Sequence, residues 1–148
     1  LRHGDAEAAG QFEARWRAYR LVMDKWFMLQ VAEASPEAAV RKAQKLTEHP
    51  DFDWQNPNRF RSVMGGLIAG NPAGFHAEDG SGYRFLADWL LKLDAKNPQT
   101  AARISTAFET WRRYDADRQG LIQEQLARLA GRENLSRDLG EMVGRMRG

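Results

Sequence analysis

The sequence predicts an all-α chain, an irregular superhelix of about eight antiparallel helices. Three observations carry that prediction. Apolar residues recur at spacings of three and four in nearly every segment. Asn-Pro is written three times, at Asn56-Pro57, Asn71-Pro72 and Asn97-Pro98, and each copy stands ahead of such a pattern. No stretch alternates with period two for long enough to make a strand.

Taken in order, Phe12, Trp16, Tyr19, Met23, Trp26 and Gln30 form the stripe of a first helix over residues 12–30, widened by Val22, Phe27 and Leu29. Ser35-Pro36-Glu37 is expected to start a second, with Ser35 accepting free backbone N–H groups and Pro36 in the first turn, ahead of Val40, Ala43 and Leu46. The Asn-Pro pairs follow the same logic. Asn is among the best N-caps, and proline's fixed φ suits the first helical position. Behind Pro57 come Phe60, Val63, Met64, Leu67 and Ile68, and Pro72 opens a short piece through Phe75. Gly80-Ser81-Gly82 breaks that piece before Tyr83, Leu86, Trp89, Leu90 and Leu93. Behind Pro98, Ala101, Ile104, Phe108 and Trp111 predict one helix ending in the cations Arg112 and Arg113. Asp115 then caps a helix through Leu129 that Gly131 closes, and Ser136 with Asp138 starts the last one. The Pro-marked starts lie 21, 15 and 26 residues apart, too uneven for a consensus tetratricopeptide or ankyrin array. No linker divides the chain, so residues 1–148 are expected to form a single helical domain.

Composition narrows the function. Lys and Arg number 22 against 20 Asp and Glu, for a net charge of +2, and no run of like charge accumulates. That leaves no basic stripe for nucleic acid. No apolar run approaches the roughly 20 residues that span a bilayer. The absence of cysteine excludes disulfides, thiol nucleophiles and cysteine-ligated metals, and suits a reducing, cytoplasmic setting. The chain opens on Leu1 rather than Met, so a true N-terminus further upstream is expected.

Few residues offer chemistry. His3, His49 and His76 lack the i, i+4 pairing of a zinc helix, so no metal site is expected within the chain. His49-Pro50-Asp51-Phe52-Asp53 is expected to be an inter-helix loop. His76, Asp79 and Ser81 have the residue types of a hydrolytic triad but lie too close in sequence, because triad members usually meet from separate elements. A helix-to-helix turn with a Ser or Asp cap explains them better. Trp16, Trp26, Trp89 and Trp111 lie on apolar stripes and are expected in the core, whereas Trp54 either staples its own helix or faces a ligand. Arg61 and Arg103 differ, because a cation early in a helix opposes the dipole at a cost of about 0.3–1 kcal/mol. Either they face one cavity and favour a carboxylate, or they are solvated or paired with Asp53, Glu78 or Asp94.

The segments His49–Asp53, Asn56–Ser62, Asn71–Tyr83, Leu93–Arg103 and Arg113–Gln119, in that order, closely resemble the C-terminal helical domain of bacterial aminopeptidase N. Asp24–Phe27 and Glu133–Ser136 agree as well, so the likeness runs from about Phe12 to the end of the chain. The resemblance implies an armadillo- or HEAT-like superhelix that covers the catalytic domain of a zinc metallopeptidase. That enzyme removes N-terminal residues from peptides, with its zinc and catalytic groups upstream of this region. The chain itself is then expected to be noncatalytic, to enclose the active-site cavity, and to be inactive alone. The resemblance also implies that Arg61, Gln99 and Arg103 face the cavity on the side of the leaving peptide. Arg61 and Arg103 would attract its carboxylate and Gln99 would hydrogen-bond its chain. The expected partners are the upstream catalytic domain and the peptide substrate. The face of the first helix that meets earlier helices would be exposed in this chain alone, favouring self-association. The rival reading is a stand-alone helical-repeat adaptor whose concave face binds a protein segment.

Overall fold

The computed structural model describes the backbone from Arg2 to Gly148, and side chains from Glu7 onward. Eight α-helices and two 3₁₀ turns make up these residues, without a strand. The helices are α1 (Arg2–Ala32), α2 (Ala39–Leu46), α3 (Pro57–Ile68), α4 (Pro72–Phe75), α5 (Ser81–Asp94), α6 (Pro98–Ser105), α7 (Ala116–Ala130) and α8 (Arg137–Arg147). Along one side α1 packs on α3 and α6 on α8; along the other α5 packs on both α2 and α7. The pairs α2–α3, α5–α6 and α7–α8 close across the two sides. No helix among the described residues is long and apolar enough to cross a membrane.

The Asn-Pro starts form as their chemistry requires. Asn56 Oδ1 accepts from the N–H groups of Asn58 (3.0 Å) and Arg59 (3.3 Å), and Asn97 Oδ1 from that of Thr100 (3.1 Å). Asn71 does more than cap. While its Oδ1 accepts from Gly74 N–H, its Nδ2 donates to the carbonyls of Val31 (3.0 Å) and Ala34 (2.7 Å), clipping the end of α1 to α4. Asp115 and Ser136 cap α7 and α8, accepting from Arg118 N–H and Leu139 N–H at 3.1 Å each.

Three expectations need correction. Ser35 is not a cap: its carbonyl accepts from Ala38 N–H (3.0 Å) in a turn through Pro36, and α2 begins only at Ala39. A proline one residue after Ser35 serves a β-turn as well as a helix start. The helix behind Pro98 does not reach Trp111 either. It ends at Ser105, where the hydroxyls of Ser105 and Thr106 donate to the carbonyls of Ala102 and Arg103 at 2.6 Å each. Such bonds compete with the helical ladder, and 3₁₀ turns over Thr106–Phe108 and Trp111–Arg113 carry the chain onward. Finally, Trp16 and Trp26 are not core residues, being 51% and 38% exposed. The reason lies in α1, which reaches back to Arg2 and leaves residues 7–22 entirely exposed. Its last turns bury Phe27 and Val31 in the body, and further back the Tyr19 hydroxyl donates to the Asp51 carboxylate (3.3 Å). Gly66 allows that contact, since a Cβ there would lie 2.7 Å from the Met28 carbonyl oxygen.

The core is aromatic at its centre. Phe75, Tyr83 and Phe108 pack with ring centroids 5.3–6.3 Å apart, bringing α4, α5 and the first 3₁₀ turn together. Trp111 is buried, as its stripe predicted, and its indole N–H donates to the Met146 carbonyl (2.8 Å), fastening α8. Trp54 packs onto a different helix from the one it precedes. It stands beside Trp89 of α5, and Lys92 Nζ lies 4.9 Å and 4.8 Å from the two ring centroids.

Candidate functional site

Each Asn-Pro pair fixes where a helix starts, and therefore which way the residues of its second turn point. Phe60, Val63, Met64 and Leu67 turn α3 toward the core, and Thr100, Ala101 and Ala102 do the same for α6. The opposite flanks of α3 and α6 border a groove of about 310 Å³, with Arg61 on one wall and Arg103 on the other. Between them the lining is apolar: Met64, Gly65 and Ile68 from α3, Ile104 from α6 and Ala107 just beyond it. Arg61 is half-buried and Arg103 exposed. Neither makes an ion pair among the described residues. The carboxylates weighed as partners lie elsewhere in the bonding scheme, Asp94 accepting from the N–H (2.8 Å) and hydroxyl (2.5 Å) of Ser136. Gln99 is exposed, one turn before Arg103, and is not part of the groove lining.

Arg59 escaped the sequence reasoning. It lies closer to the start of α3 than Arg61 and is buried, with Nε 2.5 Å from Asp24 Oδ1. A second nitrogen donates to the Asp51 carbonyl, and the guanidinium sits 5.0 Å from the centre of the Phe27 ring. The dipole argument applied to Arg61 applies with more force three residues after the cap, and that was the available signal. Of the two arginines in Asn58-Arg59-Phe60-Arg61, the first ties α3 to α1 and the second is left to face the groove.

A second polar cluster joins α4, α5 and α7. His76 Nδ1 lies 2.7 Å from the Tyr83 hydroxyl, and its ring centroid is 4.4 Å from that of Tyr114. Arg118 Nε donates to the His76 carbonyl (2.7 Å) while its NH1 pairs with Asp115 (2.8 Å). Burial, and then the Arg118 charge, lower the His76 pKa; burial pushes Tyr83 up to about 12. Asp79 accepts from Ser81 N–H (2.9 Å), which holds its carboxyl below the usual range, and Gly80 adopts φ 74° to admit that turn. His76, Asp79 and Ser81 thus belong to a helix-to-helix turn, but the N-cap of α5 is Gly80 rather than the expected Ser or Asp, and Asp79 braces the turn from one residue earlier. His49 likewise lies in a loop, its Nδ1 accepting from Asp51 N–H (3.0 Å).

A family model described as a domain of unknown function (DUF3458_C) with ARM repeats matches residues 2–148. Aminopeptidase N of Caulobacter vibrioides is 42% identical over 142 residues, and that of Escherichia coli K12 is 46% identical over 134. These alignments cover 96% and 90% of this chain. The chain belongs to the C-terminal ARM-repeat domain family of aminopeptidase N. Aminopeptidase N of Haemophilus influenzae agrees at 46% over 132 residues. A Legionella pneumophila aminopeptidase A, solved in complex with aspartic acid, superposes with a TM-score of 0.77 at 34% identity, over 84% of this chain and 14% of that one. The ARM-repeat description fits the two-sided helical stack. This chain spans only 15–16% of the length of the aminopeptidase N relatives.

Whether this domain could itself hold a catalytic metal is answered by its donors. Among the described residues no three His, Asp or Glu side chains converge as ligands, and the sequence has no cysteine. The described residues do not fit a resident zinc.

Proposed function

We propose that this ARM-repeat domain is a noncatalytic wall of a cytoplasmic zinc aminopeptidase, positioning peptides whose N-terminal residues are removed by groups elsewhere in the polypeptide. Arg61 and Arg103 attract the carboxylate of the leaving peptide, and Gln99 hydrogen-bonds its chain. One observation carries this reading: two arginines 42 positions apart share a groove and have no carboxylate partner among the described residues. Two like charges in one groove repel, so an anion between them is favoured. Gln99 lies one turn from Arg103 on the same helical face, in reach of a chain anchored there. The zinc and the catalytic residues belong to the upstream catalytic domain, against which the exposed ridge of α1 packs. The likeness to far longer aminopeptidases supports this division of labour.

The test uses the complete polypeptide. Arg61→Ala or Arg103→Ala lowers kcat/KM for short free-carboxylate peptides about tenfold, the lower end for a charge-assisted bond. Uncharged aminoacyl amides lose less. Equal losses on both substrates refute the carboxylate role.

A further inference from the structure

The groove between α3 and α6 is charged at its walls and apolar along its floor. A carboxylate alone would satisfy Arg61 and Arg103 but leave the half-buried Ile68 and Ile104 partly facing water. An apolar partner alone would leave the two guanidinium groups uncompensated. One chemical unit satisfies both, a carboxylate attached next to an apolar side chain. The volume agrees: about 310 Å³ stands at the small end of ligand pockets, roughly 300–1,000 Å³, which suits one residue rather than a length of peptide. The lining also disfavours a polar side chain. Thr106 is the one hydroxyl in the lining, and it already donates to the Arg103 carbonyl (2.6 Å). Gly65 forms a notch in the groove, because a Cβ there would meet nothing within 4 Å.

We propose that this groove is a specificity subsite for the C-terminal residue of a short peptide. It takes the free carboxylate between Arg61 and Arg103, and an aliphatic or aromatic side chain against Ile68, Ile104 and Ala107. The subsite rests on the carboxylate reading given above and adds a preference for the residue that bears the carboxylate.

The complete polypeptide is assayed with peptides of sequence Ala-(Gly)n-Leu and Ala-(Gly)n-Gly, n running from one to four, and with the C-terminal amides of the leucine series. At the length that reaches the groove, kcat/KM favours terminal Leu over terminal Gly by about tenfold, the modest end for an apolar side chain entering a half-open site. Gly65→Leu fills the notch from a position where an added Cβ meets nothing within 4 Å. It brings the Leu/Gly ratio close to one while the preference for acid over amide persists. A Leu/Gly ratio near one at every length in the unaltered enzyme overturns the subsite, as does a ratio that Gly65→Leu leaves intact. If acid and amide are also cleaved equally, or no peptide is cleaved, the carboxylate reading itself falls and the subsite with it.

Discussion

Asn56, Asn71 and Asn97 each precede a proline and accept an N–H from the turn that follows, yet their surroundings differ. Asn97 is a cap and nothing more, so Asn97→Ala is expected to cost about 1 kcal/mol. Asn71 is buried and also serves the carbonyls of Val31 and Ala34. Asn71→Ala therefore removes a cap and strands two acceptors, and about 2–3 kcal/mol is expected. Urea unfolding of the two variants checks the order, which a larger loss for Asn97→Ala contradicts. The caps at Asn56, Asn97, Asp115 and Ser136 were legible in the sequence because a cap is a local device. Arg59 and the second task of Asn71 were not, because their partners lie 35 to 40 positions away. For the same reason Arg61 and Arg103 could be named from their motifs, while only the coordinates bring them to one groove.

Helix existence followed from periodicity, but the starts of α1 and α2 and the end of α6 did not. The stripe behind Pro98 continues through Phe108 and Trp111, and both are buried as it predicts. The backbone between them nonetheless tightens to 3₁₀, because back-bonded Ser105 and Thr106 end the α-helical ladder. An apolar stripe reports burial more faithfully than it reports helix type. In α1 the stripe is correct and the burial is missing: Phe12 and Val22 are each 66% exposed. A ridge of that size on a helix standing clear of its own core marks a contact surface. The chain alone is therefore expected to self-associate. Sedimentation velocity should show an association that grows with concentration and that Phe12→Ser combined with Trp16→Ser removes. A monomer at all concentrations for the unaltered chain contradicts this.

At the scale of the whole molecule, two sides of helices joined across a common core leave a groove with Arg61 and Arg103 at its walls and apolar residues between them. The stack contains no cluster of metal ligands among its described residues, and the joint around His76 is engaged in holding α4, α5 and α7 together. In the function proposed above, its part is recognition and the bond-breaking falls to the rest of the polypeptide. Bound zinc and peptide hydrolysis, measured side by side for this chain and for the complete gene product, test that division most directly. The complete product should hold zinc and trim peptides while this chain does neither; trimming by this chain alone would contradict the account.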